Sequence, residues 1–80
     1  MEIEYTKQAV KQISKLDKPT KQRIKSEIEK LPLGDIKRLQ GVTPVMFRLR
    51  VGDFRILFEM SADRIIIRNV LPRGEVYNKL

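Results

Sequence analysis

The stretch Phe47-Arg48-Leu49-Arg50-Val51-Gly52-Asp53-Phe54-Arg55-Ile56-Leu57-Phe58 decides the fold. Side chains alternate across a strand, so Val45, Phe47, Leu49 and Val51 share one face while Arg48 and Arg50 share the other. Gly52-Asp53 is a two-residue hairpin signal with glycine first, as a type II′ turn prefers. Such a turn pairs Val51 with Phe54, Arg50 with Arg55, Leu49 with Ile56 and Phe47 with Phe58. Every apolar pair then lands on one face, which supports the register, and Arg50 faces Arg55 directly.

Outward from this hairpin, a third strand is expected over 64–71. With Ser61-Ala62 at the tip of the second turn, Glu59 falls opposite Arg64, Phe58 opposite Ile65, Ile56 opposite Ile67, and Arg55 opposite Arg68. Arg50, Arg55 and Arg68 would then form a row across three strands with Arg48 beside them. Like charges directly opposed cost some tenths of a kcal/mol, roughly, per pair. A fold gains nothing from such a row unless an anion sits on it; the plain alternative is a solvated charged face.

Upstream, Glu2-Ile3-Glu4-Tyr5 alternates as a short strand, and Thr6 suits a helix N-cap. Ala9, Val10, Ile13 and Leu16 form an apolar stripe of about three turns. Asp17-Lys18-Pro19 ends that helix and starts another, whose stripe is Ile24, Ile28 and Leu31. Residues 34–44 read as a connector in which Ile36 and Leu39 form one anchored turn. The fold class is therefore α+β, β-α-α-β-β-β, with a helix hairpin on one face of an antiparallel sheet and the other face free to be polar. Residues 1–80 are expected to form a single domain.

The chain has 80 residues, a net charge of +7 and a pI near 10.1, which suits a polyanionic partner, either nucleic acid or an acidic protein segment. Seven of its lysines lie in residues 1–33 and seven of its arginines in 34–80. Guanidinium forks fit phosphate oxygens, so the second half is the expected anion site. Cysteine and histidine are absent, which excludes the usual zinc sites, thiol nucleophiles and His-based triads. No apolar run exceeds three residues, so no membrane span is expected and the cytoplasm is the expected location.

The β-αα-βββ order, Lys37-Arg38-Leu39-Gln40-Gly41, the hairpin motif and Arg73-Gly74-Glu75-Val76-Tyr77 together resemble the RelE/ParE superfamily of toxin–antitoxin toxins, and the RelE branch more closely. The resemblance covers nearly the whole chain. It implies a type II toxin that cleaves mRNA in the ribosomal A site through a metal-free site, with no cofactor, and that is held by an acidic RelB-like antitoxin. Carried over by position, it implies catalytic roles for Arg48, Arg50, Arg55, Arg73 and Tyr77, with Arg68, Lys37 and Arg38 contacting RNA. Many members have Gly-His before the late arginine where this chain has Leu71-Pro72, and some carry a lysine near Met46. Arginine cannot serve readily as a base, which leaves Tyr77, or secondarily Glu75, to move the proton. Two other readings follow: a ParE-like inhibitor of DNA gyrase, or an inactive RNA-binding relative.

Overall fold

A computed structural model describes residues 2–41 and 45–72. The order is β1 (Glu2–Tyr5), α1 (Lys7–Ser14), α2 (Lys18–Glu29), β2 (Ile36–Arg38), β3 (Phe47–Val51), β4 (Phe54–Met60) and β5 (Arg64–Pro72). The strands form one sheet in the order β1-β5-β4-β3-β2. The meander β3-β4-β5 is antiparallel as expected, but the sheet as a whole is mixed, because β1 runs parallel to β5. The αα crossover between β1 and the meander makes that parallel edge possible.

Both helices start on their expected caps. The Thr6 hydroxyl accepts the Ala9 N–H at 3.1 Å, and Asp17 accepts the Thr20 N–H at 3.2 Å and the Thr20 hydroxyl at 2.8 Å. Ile24, Ile28 and Leu31 are buried as predicted. In α1 the buried positions are Ala9 and Ile13, whereas Val10, expected on the stripe, is 54% exposed. The helix ends at Ser14, so one i,i+4 pair meets the sheet and position 10 is rotated off it by about 100°.

The hairpin β3–β4 has the predicted register at Phe47↔Phe58, Leu49↔Ile56, Arg50↔Arg55 and Val51↔Phe54. Phe47 and Phe58 stack with ring centroids 5.6 Å apart. Together with Ile65, Ile67 and Val70 these residues build the core beneath the helices. Burial of each such side chain contributes about 1.5–3 kcal/mol.

Two further expectations are corrected. Residues 36–38 are not a turn but an edge strand, with Ile36↔Leu49, Lys37↔Arg48 and Arg38↔Phe47. Three residues are too few to show a period, so the free edge of β3 defines this strand. The second meander turn is also longer than predicted, since Met60 pairs with Ile65 and the Ser61 N–H donates to the Arg64 carbonyl at 2.9 Å. Beyond it a bulge leaves Arg68 without a counterpart: Phe58 pairs with Ile67, Leu57 with Asn69 and Arg55 with Leu71.

Gly34 has φ +127°, and an added Cβ there would stand 3.0 Å from Cδ1 of the buried Leu49. Gly52 has φ +57°, but its Cβ would meet only the mobile end of Arg23 at 3.1 Å. Gly34→Ala is expected to lower stability by about 1–3 kcal/mol, and Gly52→Ala by less, as measured by urea denaturation.

The Asp17 carboxyl is held below its ordinary value of 3.8, first by the Thr20 hydroxyl and then by the Thr20 N–H. A lowered folded value means the cap contributes fully above the unfolded value and fades as pH falls through the folded one. Asp17→Asn caps without titrating, so it should flatten this part of the acid sensitivity when urea midpoints at about pH 5 and about pH 3 are compared.

Candidate nucleic-acid interface

The face of the sheet away from the helices presents Lys37 on β2, Arg48 and Arg50 on β3, and Arg55, Leu57 and Glu59 on β4. Two cation–cation pairs sit side by side there: Lys37 directly opposite Arg48, and Arg50 directly opposite Arg55. Opposed Cβ atoms lie about 4.5–5.5 Å apart in such pairs, so the charges crowd one another unless an anion joins them.

The face is not uniformly polar, contrary to expectation. Met46, Leu57 and Leu71 are buried in a second small cluster, with Leu39 packed against it. Leu71 reaches it because the bulge reverses the alternation of β5: Ile65 and Ile67 face the helices, as does Val70, and Leu71 turns the other way.

The structure brings together Lys37, Arg48, Arg50 and Arg55 and separates the other described candidates. Arg55 is only 7% exposed, and its Nη1 donates to the carbonyls of Gly52 at 3.1 Å and Phe54 at 3.0 Å. It ties the hairpin turn and places its charge beneath the patch. Arg48 is half-buried, its Nη2 lies 3.5 Å from Asp35 Oδ1, and its Nε is enclosed without a hydrogen-bond partner. Arg50 is exposed.

The predicted arginine row does not extend to Arg68. Arg68 sits three residues before Leu71, the partner of Arg55, or about 10 Å along the strand, and its Nε is bonded to Glu59. The expected pair Glu59–Arg64 is replaced accordingly, with Arg64 bonding Glu4 on β1 at 3.1 Å. Arg38 shares the face of Ile36, toward the helices, so Lys37 and Arg38 diverge. Arg73, Glu75 and Tyr77 lie outside the described residues. Tyr5 is the chain's other tyrosine and lies against the helix-side core, where burial, with Glu29 adding to it, pushes its phenol above the ordinary value of 10.0. It stays protonated and away from the basic patch.

Sequence reasoning missed two residues. The Gln12 amide accepts the Val70 N–H at 2.6 Å and donates to Asn69 Oδ1 at 3.4 Å, holding the bulge from α1. Asp35 lies within the stretch that reads as a connector. A polar residue beside the buried Ile13 was the available signal for the first, and an acid two positions before Lys37 for the second.

A family model described as the ParE toxin of the type II toxin–antitoxin system parDE matches residues 3–77. The chain belongs to the RelE/ParE superfamily of type II toxins. A relative named toxin RelE3, from Methanocaldococcus jannaschii, is 33% identical, the alignment covering 98% of this chain and 97% of that protein. The crystal structure of a RelB-RelE antitoxin-toxin complex from Methanococcus jannaschii contains a chain that superposes with a TM-score of 0.76 at 33% identity, covering 96% of this chain and 98% of that one. An archaeal RelE-RelB complex from Pyrococcus horikoshii contains one with a TM-score of 0.72 at 26% identity, covering 91% and 94%. The α+β fold of this toxin family is thus the fold of the chain. Among the described residues no helix is long and apolar enough to cross a membrane.

The buried, backbone-bonded guanidinium of Arg55 gives a stability prediction. Charge-assisted hydrogen bonds contribute about 1.5–3 kcal/mol, so Arg55→Ala should destabilise the fold by that order in urea denaturation, while Arg50→Ala leaves the midpoint nearly unchanged.

Proposed function

We propose that this toxin is an endoribonuclease that cleaves mRNA in the ribosomal A site. The observation carrying the reading is that two cation–cation pairs, Lys37–Arg48 and Arg50–Arg55, stand opposite one another across strands at neighbouring positions on one open face. In the reaction the substrate's 2′-oxygen bonds to the adjacent phosphorus as the bond from phosphorus to the 5′-oxygen breaks. The products are a 2′,3′-cyclic phosphate and a free 5′-hydroxyl. One proton leaves the 2′-hydroxyl and one reaches the departing oxygen. Lys37, Arg48 and Arg50 stabilise the extra negative charge of the transition state, which is where fixed cations act most strongly. Arg55 raises the potential from below, Arg73 adds a further cation, and Tyr77 aligns or deprotonates the nucleophile. With no strong base in the set, the toxin depends on the ribosome to position the RNA, and free RNA is a poor substrate.

The solved relatives are complexes with RelB, and the net charge of +7 suits an acidic partner. We therefore assign this toxin an acidic RelB-like antitoxin and a cytoplasmic site of action alongside ribosomes and mRNA.

Primer extension on translating ribosomes tests the activity. The wild type should cut within the A-site codon, and Arg50→Ala should slow cutting by about 10²-fold with the fold intact. An uncut codon with wild-type protein overturns the reading. The family description that matches the chain is that of ParE, which favours a second reading, inhibition of DNA gyrase by protein contacts. Loss of supercoiling without RNA cleavage would select it.

A further inference from the structure

Among the described residues, the one carboxylate ion-paired with the Lys37–Arg48–Arg50 patch belongs to Asp35. Its separation from Arg48 Nη2, 3.5 Å, exceeds the about 2.7–2.9 Å of a strong charge-assisted bond, and the Asp35 side chain is 59% exposed. Such a contact is weak and readily exchanged. The pair Arg68–Glu59 differs, because there the arginine Nε donates a direct hydrogen bond to the carboxylate.

Asp35 also engages Arg48 at one atom only. It reaches Nη2, while Nε is enclosed and finds no acceptor in the protein. Meanwhile the Asp35 backbone is fixed, since its carbonyl accepts the Arg50 N–H at 3.0 Å. The side chain is therefore free to leave Arg48 without disturbing the β2–β3 pairing.

We propose that Asp35 is a built-in counter-ion: it neutralises Arg48 in the free protein and yields that place, at Nη2, to a backbone phosphate of RNA. The proposal rests on reading the open face as an RNA site. Asp35 thereby makes the crowded cations tolerable before substrate arrives, and it selects for a ligand able to displace it.

The test is fluorescence anisotropy with a labelled decauridylate RNA at low salt, using the full chain. Asp35→Asn should tighten binding about three- to fivefold, the value of an exposed ion pair. Asp35→Glu, which keeps the charge, should bind like wild type. Glu27→Gln, the same charge change on the helix side, should alter affinity by roughly twofold or less. In an Arg48→Ala background the gain from Asp35→Asn should vanish. No tightening, a gain no larger than that of Glu27→Gln, or a gain that survives Arg48→Ala would each overturn the proposal. Because the readout is binding to free RNA, it is independent of ribosomal cleavage: an uncut A-site codon leaves it standing, and its failure leaves the primer-extension result untouched.

Discussion

The two-residue alternation of the strands, and its single reversal between Ile67 and Val70, determines which side of the sheet each described candidate side chain occupies. Before the bulge, odd positions of β5 face the helices; after it, even positions do. The reversal delivers Leu71 to the open face, where it closes over Leu57 and Met46. β4, in the middle of the sheet, is thus covered on both sides, and four consecutive residues, Arg55 to Phe58, are buried. Arg55 accepts burial because its guanidinium bonds to backbone carbonyls at the turn.

The apolar island also organises the charges. It separates the basic patch on β2–β3–β4 from the Arg68–Glu59 pair, so the open face has two electrostatic zones and not one. In the first, cations face cations; in the second, each arginine has a carboxylate. Arg64 and Arg68 thereby serve the sheet, holding β1 to β5 and β5 to β4, while Lys37, Arg48 and Arg50 remain directed outward from the edge that β2 completes. That division separates scaffold from candidate site more sharply than the residue types do.

Much of this was legible in the residues, and the failures have identifiable causes. The Gly52-Asp53 hairpin was readable to the exact partner, because a two-residue turn leaves no choice of register and the apolar pairs check it. The caps at Thr6 and Asp17 were readable because each oxygen has one local N–H to satisfy. The Arg50–Arg55–Arg68 row failed at the turn after Met60, where four residues, not two, span the gap. That error alone preserves parity and keeps side chains on the predicted face. The bulge at Arg68 then broke parity, and Arg68-Asn69-Val70-Leu71 contains no glycine or proline to announce it. Its cause is long-range, an amide on α1, and no local pattern encodes it. β2 was hidden for a similar reason, since its strand character comes from the neighbour it pairs with.

The Gln12 amide gives the helix and the sheet a shared history. It belongs to α1, yet its acceptor holds the Val70 N–H and its donor holds Asn69, while Thr6 at the start of the same helix caps the Arg68 carbonyl. A lineage that ironed out the bulge would leave that amide without its sheet partners and send Leu71 into the helix side, exposing Leu57 in the same stroke. A lineage that lost the amide would leave the kink unsupported. Drift at these positions is therefore constrained to move in concert, and sequence swaps between relatives should succeed only when position 12 and residues 68–71 travel as one cassette.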